Sequence, residues 1–503
     1  MMDNFLTTDT FRKGVSRYLK HFQYSIAEQD DLWRFLTEAA REDKTLDEDL
    51  TVKEIMDSWT LKMGYPVVTV SRDEETGETT LTQERFLLSE DNETEADGID
   101  YKWHIPVSYV VQSNADFSAT QPRLWIRQNE KSKNIGVISE KSEWVILNVQ
   151  QTGYYRVNYD SRTWELLEKQ LLEDHTKIHR VNRAQILDDA FNLAKAGILN
   201  YSVPLGLIRY LSKEKSNSPW VAAIRNLGYI DTMLRKTPAY EHYRRFIRSL
   251  VDPHMSEVRF ERIEQVTGEY DDISKVSWNL NLLSLACQMG HEQCLKSASR
   301  EFEFFMAKYN ESEPDEPLLS PNTKSIVFCN GIKKGGETAF NFAYAHMLRT
   351  NIPQERSMLL SKLACTEESW LLSKYLGMLF DNTSGIRLQD FSHVFSAVAY
   401  NDVGIYLAFD MLVNKFDEIK QRFMGNDFGL TSLIMPFGDH FNSKFYLDQM
   451  KSFERINRDN LGAASRETAT TIAKISSNIQ VVDAHYDFLA HWFKNAGSVL
   501  STE

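Results

Sequence analysis

Apolar residues recur at helical spacing from the start of the chain to about residue 60. Phe11, Val15, Tyr18 and Leu19 form one stripe, with Thr8 or Asp9 placed to cap its helix. Leu32, Trp33, Phe35 and Leu36 mark a second helix, and Ile55, Met56 and Trp59 a third. The acidic run from Glu42 to Thr51 between them reads as a solvated surface connection. At Gly64-Tyr65-Pro66 the period changes. Val67 to Arg72, Thr79 to Leu88, Lys102 to Gln112 and Trp144 to Val149 are β-branched and aromatic runs, and Asp73 to Glu78 is a glycine-containing hairpin turn. Short strands at this spacing predict a small β-sandwich.

From about residue 160 the helical period returns and holds nearly to the end. Ile186, Leu187, Ala190, Phe191 and Ala194 share one stripe, Gly197 is placed as a C-terminal cap, and Ser202-Val203-Pro204 opens the next helix. Similar punctuation stands at Gly290, Gly331, Gly335-Gly336 and Gly385, and the prolines between Glu311 and Pro321 mark an exposed connection. The predicted fold is mainly α with a small β-sandwich, followed by a C-terminal curved stack of antiparallel helix pairs. That stack is HEAT/ARM-like in kind but has no fixed-length repeat. Its divisions fall at residues 1–62, 63–148 and 149–503.

Composition narrows the function classes. A length of 503 residues with 42% apolar content allows two to four domains with sizeable cores. The net charge of -14 is spread along the chain, which argues against a nucleic-acid partner, since phosphate backbones require clustered Lys and Arg. No apolar run is long enough to span a bilayer, and Met1 to Leu6 lacks the basic flank and apolar core of a signal peptide. The cysteines are Cys287, Cys294, Cys329 and Cys365, an even count that permits three pairings and, on composition alone, free thiols equally. Sequons at Asn92, Asn200, Asn310 and Asn382 could accept glycans in a secretory protein. An even cysteine count and sequons without a signal peptide are reconciled if the chain begins partway through a secreted or membrane-anchored protein.

Few residues are spaced for chemistry. His175 and His179 stand four apart, but Thr176 occupies the place of a general base and the flanks read as a polar connector entering a helix. Gly290-His291-Glu292-Gln293-Cys294-Leu295 begins like a zinc-binding helix but has Leu295 where a second His is needed. There is no phosphate-binding glycine loop after a strand and no Gly-x-Ser-x-Gly elbow; Gly335-Gly336 reads as a turn rather than an anion site. His291 near Cys294 could polarise a nucleophilic thiol, but a Cys287–Cys294 disulfide is the better reading. Seven residues of continuous helix would separate the two by about 10 Å, beyond disulfide reach, whereas Gly290 can end one helix and let the next fold back.

Two longer runs carry a resemblance. Thr152-Gly153-Tyr154-Tyr155-Arg156-Val157-Asn158-Tyr159-Asp160 and Asn182-Arg183-Ala184-Gln185-Ile186-Leu187-Asp188-Asp189-Ala190-Phe191 resemble the aminopeptidase N and endoplasmic-reticulum aminopeptidase family of zinc peptidases. Phe11-Arg12-Lys13-Gly14-Val15, Asp30-Asp31-Leu32-Trp33, Gln121-Pro122-Arg123-Leu124-Trp125-Ile126 and Pro219-Trp220 also fit its pattern. The match weakens beyond about Asp427, where Met435-Pro436-Phe437-Gly438-Asp439 departs from it. The family's metal-binding His-Glu-x-x-His and its Gly-x-Met-Glu-Asn strand occur nowhere in the 503 residues, so no catalytic or metal residue is assigned.

The resemblance implies that residues 1–62 are the last helices of a thermolysin-like catalytic domain. The β-sandwich and a large helical C-terminal domain would follow. It pairs Cys287 with Cys294 and Cys329 with Cys365, and so points outside the cytosol. It implies a parent that removes N-terminal residues from peptides with one zinc ion, at the extracellular face of the plasma membrane or in the secretory pathway. This chain would carry no cofactor of its own and would be inactive alone, with peptides held in its helical concavity, the catalytic domain as a partner in cis, and a homo-oligomer as a further association. The alternative is a zinc-free peptide- or protein-binding module. Without that catalytic domain Trp33, Phe35 or Trp59 would be left without partners, giving a sticky apolar face.

Overall fold

The computed structural model describes residues 1–88, 100–260, 273–423 and 427–499, in two units, Met1–Asn226 and Leu227–Glu503. The first unit opens with helices Met2–Leu6, Thr8–His21, Gln29–Asp43 and Val52–Thr60. The cap of the second is Thr7, one residue before the expected Thr8, at a φ of 71°. The next two start with reciprocal capping boxes, Glu28 with Asp31 and Thr51 with Glu54, each satisfying backbone donors that the first turn leaves open. Gly14 is needed because a Cβ there would lie 2.8 Å from Leu36.

The acidic run behaves only partly as a solvated connection. Glu42 and Asp43 still belong to a helix and pair with Lys13 and Arg17, while Leu50 enters the core.

The expected orphan aromatics are a correction. Trp33 is 4% exposed in a cluster with Phe5, Leu36 and Ile55. Trp59 donates its indole N–H to the His104 carbonyl at 3.0 Å, and Phe35 packs against Tyr18, His21 and Phe22. The helices bury these rings against each other and against the β region, so they have partners within the chain. The apolar residues left in solvent here are others, Tyr24 and Ile26 above all, at 100% and 93% exposure.

The β region contains β1 (Pro66–Arg72), β2 (Thr79–Arg85), β3 (Ile105–Val107), β4 (Tyr109–Val111), β5 (Leu124–Ile126), β6 (Ser132–Asn134), β7 (Val145–Leu147) and β8 (Arg156–Tyr159). They form a four-stranded sheet in the order β6-β2-β1-β8 and two two-stranded sheets, β3-β5 and β4-β7. The run Lys102 to Gln112 is two strands, and β5 and β6 have too few residues to show a period. The last strand lies beyond residue 148, the expected end of this region. It pairs in parallel with β1, from Val67 opposite Arg156 to Val70 opposite Tyr159. Asp160 then caps helix Ser161–Asp174 through the Thr163 N–H.

The second unit is built of helices joined by turns and irregular connections, with no strand among its described residues. Gly197 and Gly290 are turn residues at positive φ, as the sequence reading expects, and so is Gly385. Gly331 and Gly335-Gly336 are corrections: all three lie inside helix Pro321–Arg349. Gly331 faces Phe302, where a Cβ would come within 2.1 Å of the ring, and Gly336 kinks the helix at a φ of 56°. Pro321 opens this helix in its first turn, where its missing N–H costs nothing.

The departing run Met435 to Asp439 also has a structural reading. Pro436 sits inside helix Asp427–His440 and cannot bond the Ser432 carbonyl, which instead accepts the Ser396 hydroxyl at 3.0 Å. Gly438 lies against helix Ala464–Val499, where Asn478 donates to the Gly438 and Phe441 carbonyls.

Candidate functional site

The two runs that carry the resemblance meet in the first unit. Parallel pairing of β8 with β1 sets Arg156 beside helix Arg180–Lys195. Its guanidinium donates to Asp188 at 2.7 Å and Asp189 at 3.0 Å and lies 5.1 Å over the Phe86 ring. Asp189 is buried and also accepts the Val157 N–H at 3.0 Å and the Gln185 amide at 3.3 Å. Burial pushes its carboxyl up to about 7, against the pull of Arg156 and the Val157 N–H.

The rest of the first run is equally committed. Asn148 accepts the Gly153 N–H and donates to the Gly153 and Tyr155 carbonyls, the Tyr155 hydroxyl donates to the Pro106 carbonyl, and Tyr159 accepts the Leu147 N–H. Gly153 has no room for a Cβ, which would lie 2.3 Å from the Tyr155 ring. Asn182 of the second run accepts the Gln150 N–H and donates to the Asn148 carbonyl. Asn148, Gln150 and Gln151 all adopt positive φ, and this hydrogen bonding is what holds two of them there. Tyr154 is the exception, 64% exposed and edge-on to Tyr65. The residues that look most like an enzyme's signature thus form a structural junction.

His175 and His179 do not converge. His175 lies in a 3-10 turn with its ring 5.4 Å from Tyr210, and His179 caps helix Arg180–Lys195 with its ring 6.1 Å from Phe117. Arg183 fixes that turn by donating to the Ile178 and His175 carbonyls while it forks onto buried Glu214 at 2.6 and 2.9 Å. Burial lowers the pKa of both histidines. His291 is likewise a cap, bonded to Asp252 at 2.8 Å. Among the described residues no three His, Cys, Asp or Glu side chains are grouped as a metal site. The histidine pair with metal-ligand spacing does not form a zinc site, because its members face two different rings and Thr176 stands where a base is needed.

Cys287 and Cys294 are disulfide-bonded with Cα atoms 5.2 Å apart, and Cys329 and Cys365 with Cα atoms 5.3 Å apart. The turn at Gly290 reverses the chain between the first pair, and Arg244 and Arg248 donate to the Met289 carbonyl there. Asn200, Asn310 and Asn382 are exposed, and Asn92 lies outside the described residues. No helix among the described residues is long and apolar enough to cross a membrane.

The second unit holds a cavity of about 220 Å³ that sequence reasoning did not find. Lys236 donates to the Tyr406 hydroxyl at 2.6 Å in its wall, and Arg235 bonds Asp402 at 2.5 Å and also pairs with Asp231. His440 lines it too, its pKa lowered by burial. These residues are spread over some 200 positions, and no local spacing announces them.

Comparison with known proteins agrees with the two runs. The ERAP1-like C-terminal domain family model matches residues 144–477, and that of the Peptidase family M1 domain matches residues 1–59. Aminopeptidase N of Rattus norvegicus is 32% identical over 501 residues, which cover 98% of this chain and 49% of the relative. Aminopeptidase N of Canis lupus familiaris is 33% identical over 497 residues, again 98% and 49%. The thyrotropin-releasing hormone-degrading ectoenzyme of Mus musculus is 29% identical over 511 residues, 99% of this chain and 46% of the relative. The chain spans about half the length of the curated relatives it matches.

Proposed function

The chain belongs to the ERAP1-like C-terminal domain family, and from that membership we propose that it forms the C-terminal portion of a zinc metalloaminopeptidase. The observation that carries this is the domain match over residues 144–477, set within relatives that align along 98% of the chain. In the whole enzyme, zinc-activated water would remove N-terminal residues from peptides. The ligands, the general base and the groups that hold the substrate's amino terminus lie outside these 503 residues, since neither His-Glu-x-x-His nor Gly-x-Met-Glu-Asn occurs here. This chain supplies the β region and the helices that enclose the peptide, and it is inactive alone. Its setting is the secretory pathway or the outer face of the plasma membrane, in keeping with two disulfides and three exposed sequons.

The cavity beside Lys236 and Arg235 favours a second reading, a zinc-free module that binds peptides or a protein partner. One experiment separates the two. The purified chain is supplied with zinc and given alanyl and leucyl chromogenic substrates, and peptide binding is followed in parallel by fluorescence anisotropy. The enzyme-portion reading expects no turnover, and zinc-dependent release of N-terminal residues would overturn it. Peptide binding that falls in Lys236→Ala would favour the binding module.

A further inference from the structure

The Pro122-Arg123-Leu124-Trp125 run takes no part in the junction, the disulfides or the helical cavity. It lines a cavity of about 420 Å³ in the first unit, within the range of small-molecule sites. The Lys44 to Asp47 connection, Arg127 and Lys133 complete most of the lining.

Four cations and one carboxylate, Asp47, face this space, in a chain whose net charge is -14. Arg127 is held by Asp49 at 2.9 Å and Asp47 at 3.5 Å, and Lys133 by Glu130 at 3.2 Å. Neither Lys44 nor Arg123 makes a close ion pair among the described residues, though the Arg123 charge also acts on Asp116. Arg123 lies 4.6 Å over the Tyr109 ring, a contact that orients the guanidinium. The Thr45 hydroxyl, on another lining residue, is buried without a hydrogen-bond partner among the described residues. Trp125, edge-on to Phe5 at 5.2 Å, gives the cavity an aromatic wall.

We infer that this cavity binds a small polyanion, a phosphorylated or sulfated molecule whose charged groups engage Lys44 and Arg123 and whose body rests on Trp125. Two cations outside close ion pairs favour a ligand with at least two negative charges, and a guanidinium gives it forked hydrogen bonds. The inference goes beyond the peptidase reading.

The test is calorimetric titration of the chain with pyrophosphate and, separately, with a disulfated disaccharide, at low and high salt. The double variant Lys44→Gln/Arg123→Gln carries the comparison, and both changed positions are exposed, so its fold should be retained. Lys169→Gln, at an exposed position on another helix, is the control. One-to-one binding that weakens with salt, falls at least tenfold in the double variant and is unchanged in the control is expected. Whichever compound binds more tightly identifies the source of the anion. No binding of either at millimolar concentration, or equal binding by the double variant and the unaltered chain, would overturn the inference.

Discussion

In the junction of the first unit one guanidinium, Arg156, faces two carboxylates, Asp188 and Asp189. In the helical unit one carboxylate, Glu355, is shared by Lys324 and by His346, which bonds it at 2.6 Å and Tyr309 at 3.1 Å through its other nitrogen. The difference in stoichiometry sets opposite responses to pH. Burial raises the Asp189 carboxyl to about 7, and the pull of a single cation shared with Asp188 does not offset it. Burial alone would raise Glu355 as well, but the His346 hydrogen bond and the charge of Lys324 bring it below its ordinary value.

A carboxyl raised by folding contributes stability that is full below its unfolded value, about 4, and is lost as pH rises through about 7. A carboxyl lowered by folding contributes stability present above its unfolded value and lost as pH falls through the folded one. The junction should therefore loosen on the alkaline side and the Glu355 cluster on the acid side.

Removing the cation breaks this contrast most severely. Arg156→Ala leaves two carboxylates together, one of them buried, and should cost about 3–5 kcal/mol, more at pH 8 than at pH 6. Amide hydrogen exchange in helix Arg180–Lys195 reports it separately from the other unit. Glu355→Gln should cost about 1.5–3 kcal/mol, read from exchange in helix Pro321–Arg349, and should flatten the acid-side loss there. Asp189→Asn mimics the protonated carboxyl, so its protection should change by about 1 kcal/mol or less at pH 6 and vary less between pH 6 and pH 8 than in the unaltered chain. An unchanged pH slope would place the titrating group elsewhere. Tyr154→Ser is the smallest change: the side chain is largely exposed, and the shift should stay within about 0.5 kcal/mol.

The same contrast shows what can be read along a chain. Helices with a clear stripe, such as Ile186 to Ala194, are legible because their period repeats, and strands such as Val67 to Arg72 because β-branched residues are concentrated in them. The three-residue strands Leu124–Ile126 and Ser132–Asn134 are not, because nothing repeats. Gly331 looks like punctuation, yet its lack of a side chain serves close packing on Phe302 within a helix. His175 and His179 have metal-ligand spacing only if one helix carries both, and a 3-10 turn intervenes.

The junction was visible as two motifs but not as one site. Arg156 and Asp189 meet only because β8 pairs in parallel with β1. The Cys329–Cys365 pairing came from the resemblance, since a separation of 36 residues has no local geometry to read.

The most direct measurement of the central claim is the mass of the native protein from its source tissue, detected with an antibody to this region after glycan removal. The account predicts a species substantially heavier than the 503-residue chain, in which aminopeptidase activity resides. A native species of only this length would contradict it and leave the zinc-free binding module as the reading to pursue.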